Sequence, residues 1–113
     1  MASYRNIEPT SLYSATISAA ATYSSRSLDI AHLQCAAFQA VWTGTLTGSL
    51  IIEASLDGTN FDDLGISITA PPAGSAGHYL INMSDLAVKY VRMTYTHTSG
   101  TGLFTVYGSA KGA

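Results

Sequence analysis

Tyr90-Val91-Arg92-Met93-Thr94-Tyr95-Thr96 changes character at every residue. Val91, Met93 and Tyr95 form one set; Tyr90, Arg92, Thr94 and Thr96 form the other. Strict alternation is the pattern of a strand with one face buried. Ser99-Gly100-Thr101-Gly102 turns this strand. The chain then alternates again, Leu103, Thr105 and Tyr107 against Phe104, Val106 and Gly108. Upstream, residues 36–43 alternate Phe38, Ala40 and Trp42 against Ala37, Gln39, Val41 and Thr43. The aromatic set reads as core. The other set is small and nearly apolar, which predicts a strand covered on both sides.

The remaining segments extend the pattern. Gly44-Thr45-Leu46-Thr47-Gly48 reads as a turn, residues 49–55 as a strand, and Asp57-Gly58 as a hairpin signal. Residues 61–68 read as the return strand, with Gly65 at a bulge. Residues 69–77 carry Pro71, Pro72 and two glycines, so they read as the longest exposed loop. Strands are also expected over 78–83, 12–17 and 25–30. Two helical alternatives are weaker. Ile30, Leu33, Ala37 and Val41 make a loose stripe with no stop signal, and residues 84–88 could form one turn capped by Ser84 or Asp85. Glu8-Pro9 disfavours helix, so residues 1–10 are expected as an extended arm before a single domain over 11–113. About eight strands in 113 residues predict an all-β fold, an antiparallel jelly roll or related β-sandwich.

Composition narrows the function. Charged residues are 11% of the chain, while Ser and Thr number 14 and 13. Five scattered cations (Arg5, Arg26, Lys89, Arg92 and Lys111) against seven acids make no basic patch. Nucleic-acid and polybasic membrane binding are therefore not expected. The lone Cys35 cannot form an intramolecular disulfide and reads as a small buried hydrophobe. With no basic, apolar leader at Met1, synthesis and folding are expected in a cytoplasm.

No residue cluster reads as catalytic. Gly44 to Gly48 has glycines like a nucleophile elbow, but Leu46 stands in the nucleophile's place. Asp57, Asn60, Asp62 and Asp63 supply oxygen ligands at close spacing without the calcium-loop glutamate, and read first as turn formers. His32, His78 and His97 have no zinc spacing and read as surface or interface residues. Arg92, on a half-buried face, calls for a carboxylate partner, Glu53 or Asp63. Seven tyrosines and Trp42 could line a sugar-binding face, although aromatics also fill strand proteins as core. No cofactor and no metal are expected.

The run Trp42-Thr43-Gly44, Gly48, Ile52-Glu53-Ala54-Ser55-Leu56-Asp57-Gly58-Thr59-Asn60-Phe61, then Tyr90-Val91-Arg92-Met93-Thr94-Tyr95 and Ser99-Gly100-Thr101-Gly102, resembles small jelly-roll virion proteins of tailed bacteriophages. Met93 replaces that pattern's usual valine, and Phe61 stands where tryptophan is common. The resemblance covers residues 25–111. It implies a virion structural protein, of the type that decorates and cements capsids. The implied partners are the major capsid protein and copies of the chain itself, as a trimer or dimer, on the outer capsid surface. Tail and fibre proteins of the same class imply an alternative, a carbohydrate-binding module contacting the host. The expected core is Phe38, Trp42, Ile52, Val91, Tyr95, Phe104 and Val106. Tyr4, Arg5, Tyr13, Pro71 and Pro72 are the expected contact residues.

Overall fold

A strand with one apolar face can hide it only against another such face. The chain does this with two antiparallel sheets. The structure, a computed structural model, describes residues 6–30, 33, 35–84 and 86–112, with the backbone alone at Asn6 and Glu8. Its strands are β1 (Asn6–Ile17), β2 (Thr22–Ser24), β3 (Leu28–Asp29), β4 (Cys35–Trp42), β5 (Thr47–Ser55), β6 (Asp62–Asp63), β7 (Gly77–Met83), β8 (Tyr90–Ser99) and β9 (Gly102–Lys111). Sheet 1 has the order β1-β9-β4-β7. Sheet 2 has the order β2-β8-β5-β6, and β3 also pairs with β8.

β2 and β3 lie end to end along β8, with Tyr23 opposite Tyr95 and Leu28 opposite Val91. They behave as one edge strand interrupted at Ser25. There the hydroxyl takes over the ladder: Ser25 N–H donates to Met93 O at 2.9 Å, and Met93 N–H donates to Ser25 Oγ at 3.0 Å. No helix occurs among the described residues, so neither helical alternative survives.

The core fills the space between the sheets. Phe38, Trp42, Ile52, Val91, Tyr95, Phe104 and Val106 are all buried there. Ring contacts run from sheet to sheet: Tyr23 to Tyr13 at 6.4 Å, Tyr13 to Phe104 at 6.2 Å, and Phe104 stacked on Tyr95 at 4.7 Å. Leu12, Ile17, Leu28, Ile30 and Leu33 complete the core from the N-terminal half.

Several expectations are corrected. The segment from Asn6 is not a free arm: Asn6 faces Lys111, and Ile7 faces Ala110. Residues 1–5 lie outside the described residues. Of residues 61–68, Asp62 and Asp63 pair opposite Ala54 and Glu53, and one further bond, Leu64 N–H to Ile52 O at 2.9 Å, ends the contact with β5. Leu64, Ile66 and Ile68 still alternate, half-buried against the core, because face burial needs no ladder. The proline loop is pinned rather than free. Gly48 N–H donates to Pro72 O, Gly74 N–H to Leu46 O, and the Trp42 indole N–H to Ser75 O. Pro72 is therefore buried and Pro71 half-buried, so Pro72 is no contact residue.

Candidate functional site

The outer face of sheet 1 is the surface that stands apart. Its side chains line up in rows across the sheet. Leu80, Gln39, Tyr107 and Ser11 make one row, and His78, Val41, Thr105 and Ser14 make the next. Asn82, Ala37 and Ser109 make a third. Leu80 is 61% exposed, Leu103 44% and Tyr107 43%, three of the most exposed large apolar side chains. Ala37 and Ser109 are small, so a shallow groove runs between Pro9, Leu80 and Tyr107 and continues past Cys35 to Lys111. The strand expected to be covered on both sides is thus half-buried on its outer face at Ala37, Gln39 and Val41, and none of the nine described strands is layered over that face. A broad, nearly uncharged face with exposed apolar side chains among small and hydroxyl residues suits contact with another surface.

The outer face of sheet 2 is closed on itself. Arg92 stands opposite Glu53 in the β5–β8 register, and its Nε–H donates to Glu53 Oε1 at 2.9 Å. The same oxygen accepts the Thr94 hydroxyl at 2.6 Å, and Thr94 meets Ser24 Oγ at 3.0 Å. The Arg92 guanidinium also lies 3.9 Å from the Phe61 ring centre. Glu53, and not Asp63, is thus the partner of Arg92. Its hydrogen-bonding capacity goes to holding two strands together.

The acidic turn is likewise spent on its own backbone. Asp57 Oδ1 accepts from Thr59 N–H at 2.9 Å, Asn60 N–H at 2.8 Å and the Ser55 hydroxyl at 2.9 Å. These donors hold the Asp57 carboxyl well below the ordinary carboxylate pKa. No group of three metal-ligating side chains occurs among the described residues.

The histidines separate. His78 is exposed at the β7 edge and His32 lies outside the described residues. His97 is buried, contrary to the surface expectation. Its Nδ1 meets the Tyr95 hydroxyl at 2.8 Å, and its Nε2 meets Gly100 O at 2.9 Å. A carbonyl only accepts, so Nε2 carries a proton, and in the neutral ring Nδ1 then accepts from the Tyr95 hydroxyl. Parity carried this signal: His97 continues Val91, Met93 and Tyr95 on the inward face. Cys35 is free and half-buried.

Among the expected contact residues, Tyr4 and Arg5 lie outside the described residues, and Tyr13 is half-buried in the ring contacts. Of the six tyrosines described, Tyr107 alone is exposed. The groove residues Pro9, Ala37, Leu80 and Tyr107 were not singled out from sequence.

No protein-family model matches the chain. No curated protein matches it. Among solved structures it is similar to the crystal structure of the SPBc2 prophage-derived protein YomS, with a TM-score of 0.52. The two are 13% identical over 98% of this chain and 96% of that one, so what they share is the fold.

Proposed function

We propose that the chain is a phage virion structural protein. It binds the outside of the head as a homo-oligomer and stabilises the coat lattice. The observation that carries this reading is the sheet 1 outer face, a nearly uncharged surface with Leu80, Leu103 and Tyr107 exposed. The strand order supports it. With β2 and β3 counted as one strand, the sheets wind as in a jelly roll, first strand beside last. The fold shared along nearly the whole chain with a prophage-derived protein points the same way.

The mechanism is mass action. A protein that binds only the assembled shell stabilises each site by RT ln(1 + [L]/Kd), about 2.7 kcal/mol at a hundred times Kd. The face meets the coat by shape and apolar contact, since Lys111 is the one charge among its described side chains. Mixing purified chain with heads that lack it tests the reading. Co-sedimentation and a raised disruption temperature are expected. Heads that sediment without the chain would contradict it.

A sugar-binding tail module is the alternative. It requires clustered exposed aromatics, and among the described residues Tyr107 is the one exposed aromatic.

A further inference from the structure

Two sheets leave four edges, and three of them are blunted. β1 carries Pro9 and two register shifts along its pairing with β9. The β2–β3 edge is interrupted at Ser25. β6 is two residues long, and both are aspartates. Prolines, bulges, charges and short length are the usual devices against edge-to-edge pairing. β7 has none of them. Gly77-His78-Tyr79-Leu80-Ile81-Asn82-Met83 contains no proline and no formal charge, and runs in unbroken register against β4. Among the described residues its strand pairing is with β4 alone.

We infer that β7 pairs antiparallel with β7 of a second copy, about a two-fold axis through Leu80. The sequence of the edge selects both the occupant and the register. In an antiparallel sheet, residues directly opposite share a face, so a self-pairing strand must be centred on a residue. Leu80 is the midpoint of Gly77–Met83, so this centre alone pairs all seven residues. On the outer face Leu80 then meets the partner's Leu80, and His78 meets the partner's Asn82. On the inner face Tyr79 meets the partner's Ile81. No like charges come opposite each other, which is the charge condition a self-pairing strand must satisfy. An edge bearing Lys or Asp would need a partner of opposite charge; this one fits a copy of itself.

The pairing covers Leu80, 61% exposed in the single chain. It also joins two four-stranded sheets into one of eight. The two grooved outer faces become one continuous surface. The inference rests on the proposed homo-oligomeric virion role, and supplies the contact between copies.

Sedimentation velocity on the purified chain tests it. The expected mass is twice 11.8 kDa for the wild type and 11.8 kDa for Leu80→Lys, with an unchanged β circular-dichroism spectrum. A second variant decides the matter should Leu80→Lys unfold. In a Cys35→Ser background, Leu80→Cys is treated with a short thiol cross-linker beside Leu103→Cys, an exposed control away from the edge. Covalent dimer at position 80 and not at 103 is expected. A monomeric wild type, an oligomer that survives Leu80→Lys, or equal cross-linking at both positions would overturn the pairing. The virion role fails differently. A monomer that still binds heads overturns the pairing and leaves the virion role standing. A β7-paired dimer that binds no part of the particle sustains the pairing and removes the role.

Discussion

Tyr95 and His97 close a buried polar chain that ends on the Gly100 carbonyl. Tyr95→Phe leaves His97 Nδ1 buried without its donor, and the expected cost is about 1–3 kcal/mol in urea unfolding. A change under ~0.5 kcal/mol would mean that water replaces the hydroxyl. Burial, with Tyr23 nearby, also raises the Tyr95 phenol pKa, and burial raises that of Tyr13. Both bind their protons more tightly folded than unfolded. Stability is therefore whole below the unfolded value of 10.0 and falls as pH rises through the folded values. Tyr95→Phe should flatten that alkaline fall. Asp57 has the opposite sign. Its carboxyl is held down by turn N–H donors, so its contribution is present above 3.8 and lost as pH falls through the folded value. Asp57→Asn should start less stable and lose less on acidification. The Asp57 turn was legible because its donors are two and three residues away. The burial of His97 was legible by parity, but its residue type argued for the surface.

Elements were legible wherever alternation and ladder coincide. β4, β8 and β9 bury the residues that alternation selects. Alternation reports a buried face and not a hydrogen-bonded neighbour, so residues 61–68 read as a strand while only two of them pair. The same limit hid the β1 register, whose two shifts break its alternation. Pro72 was misread because proline signals a missing donor, and Pro72 is held through its carbonyl. The β8–β9 turn crosses from one sheet to the other at Gly100, with φ of 88°. A Cβ there would also drive into the Thr45 carbonyl oxygen. Gly100→Ala should cost more than the about 1–2 kcal/mol of the left-handed conformation alone. Gly65 has φ of 76° with open space around its Cβ position, so Gly65→Ala should cost only that conformational part. Equal thermal shifts for the two variants would contradict the packing at the corner.

At the scale of the molecule, the two sheets divide the work. Sheet 2 satisfies its own outer face through Ser24, Thr94, Glu53 and Arg92. Sheet 1 leaves its outer face nearly uncharged, with Leu80, Leu103 and Tyr107 exposed, and its β7 edge open. The class of fold was written in the periodicity of the chain. The groove was not, because Pro9, Ala37, Ser109 and Tyr107 come from three strands far apart in sequence. Their types are unremarkable singly, and only the β1-β9-β4 order makes them neighbours. Charging this face, with Tyr107→Glu, should leave folding intact and weaken head binding by about tenfold or more, read by co-sedimentation; tenfold corresponds to about 1.4 kcal/mol. Unchanged binding would remove sheet 1 from the contact.

Cryo-electron microscopy of the intact particle tests the central claim most directly. The account predicts copies distributed over the outside of the head, with sheet 1 turned toward the coat lattice. Density for this chain confined to the tail or its tip would contradict it.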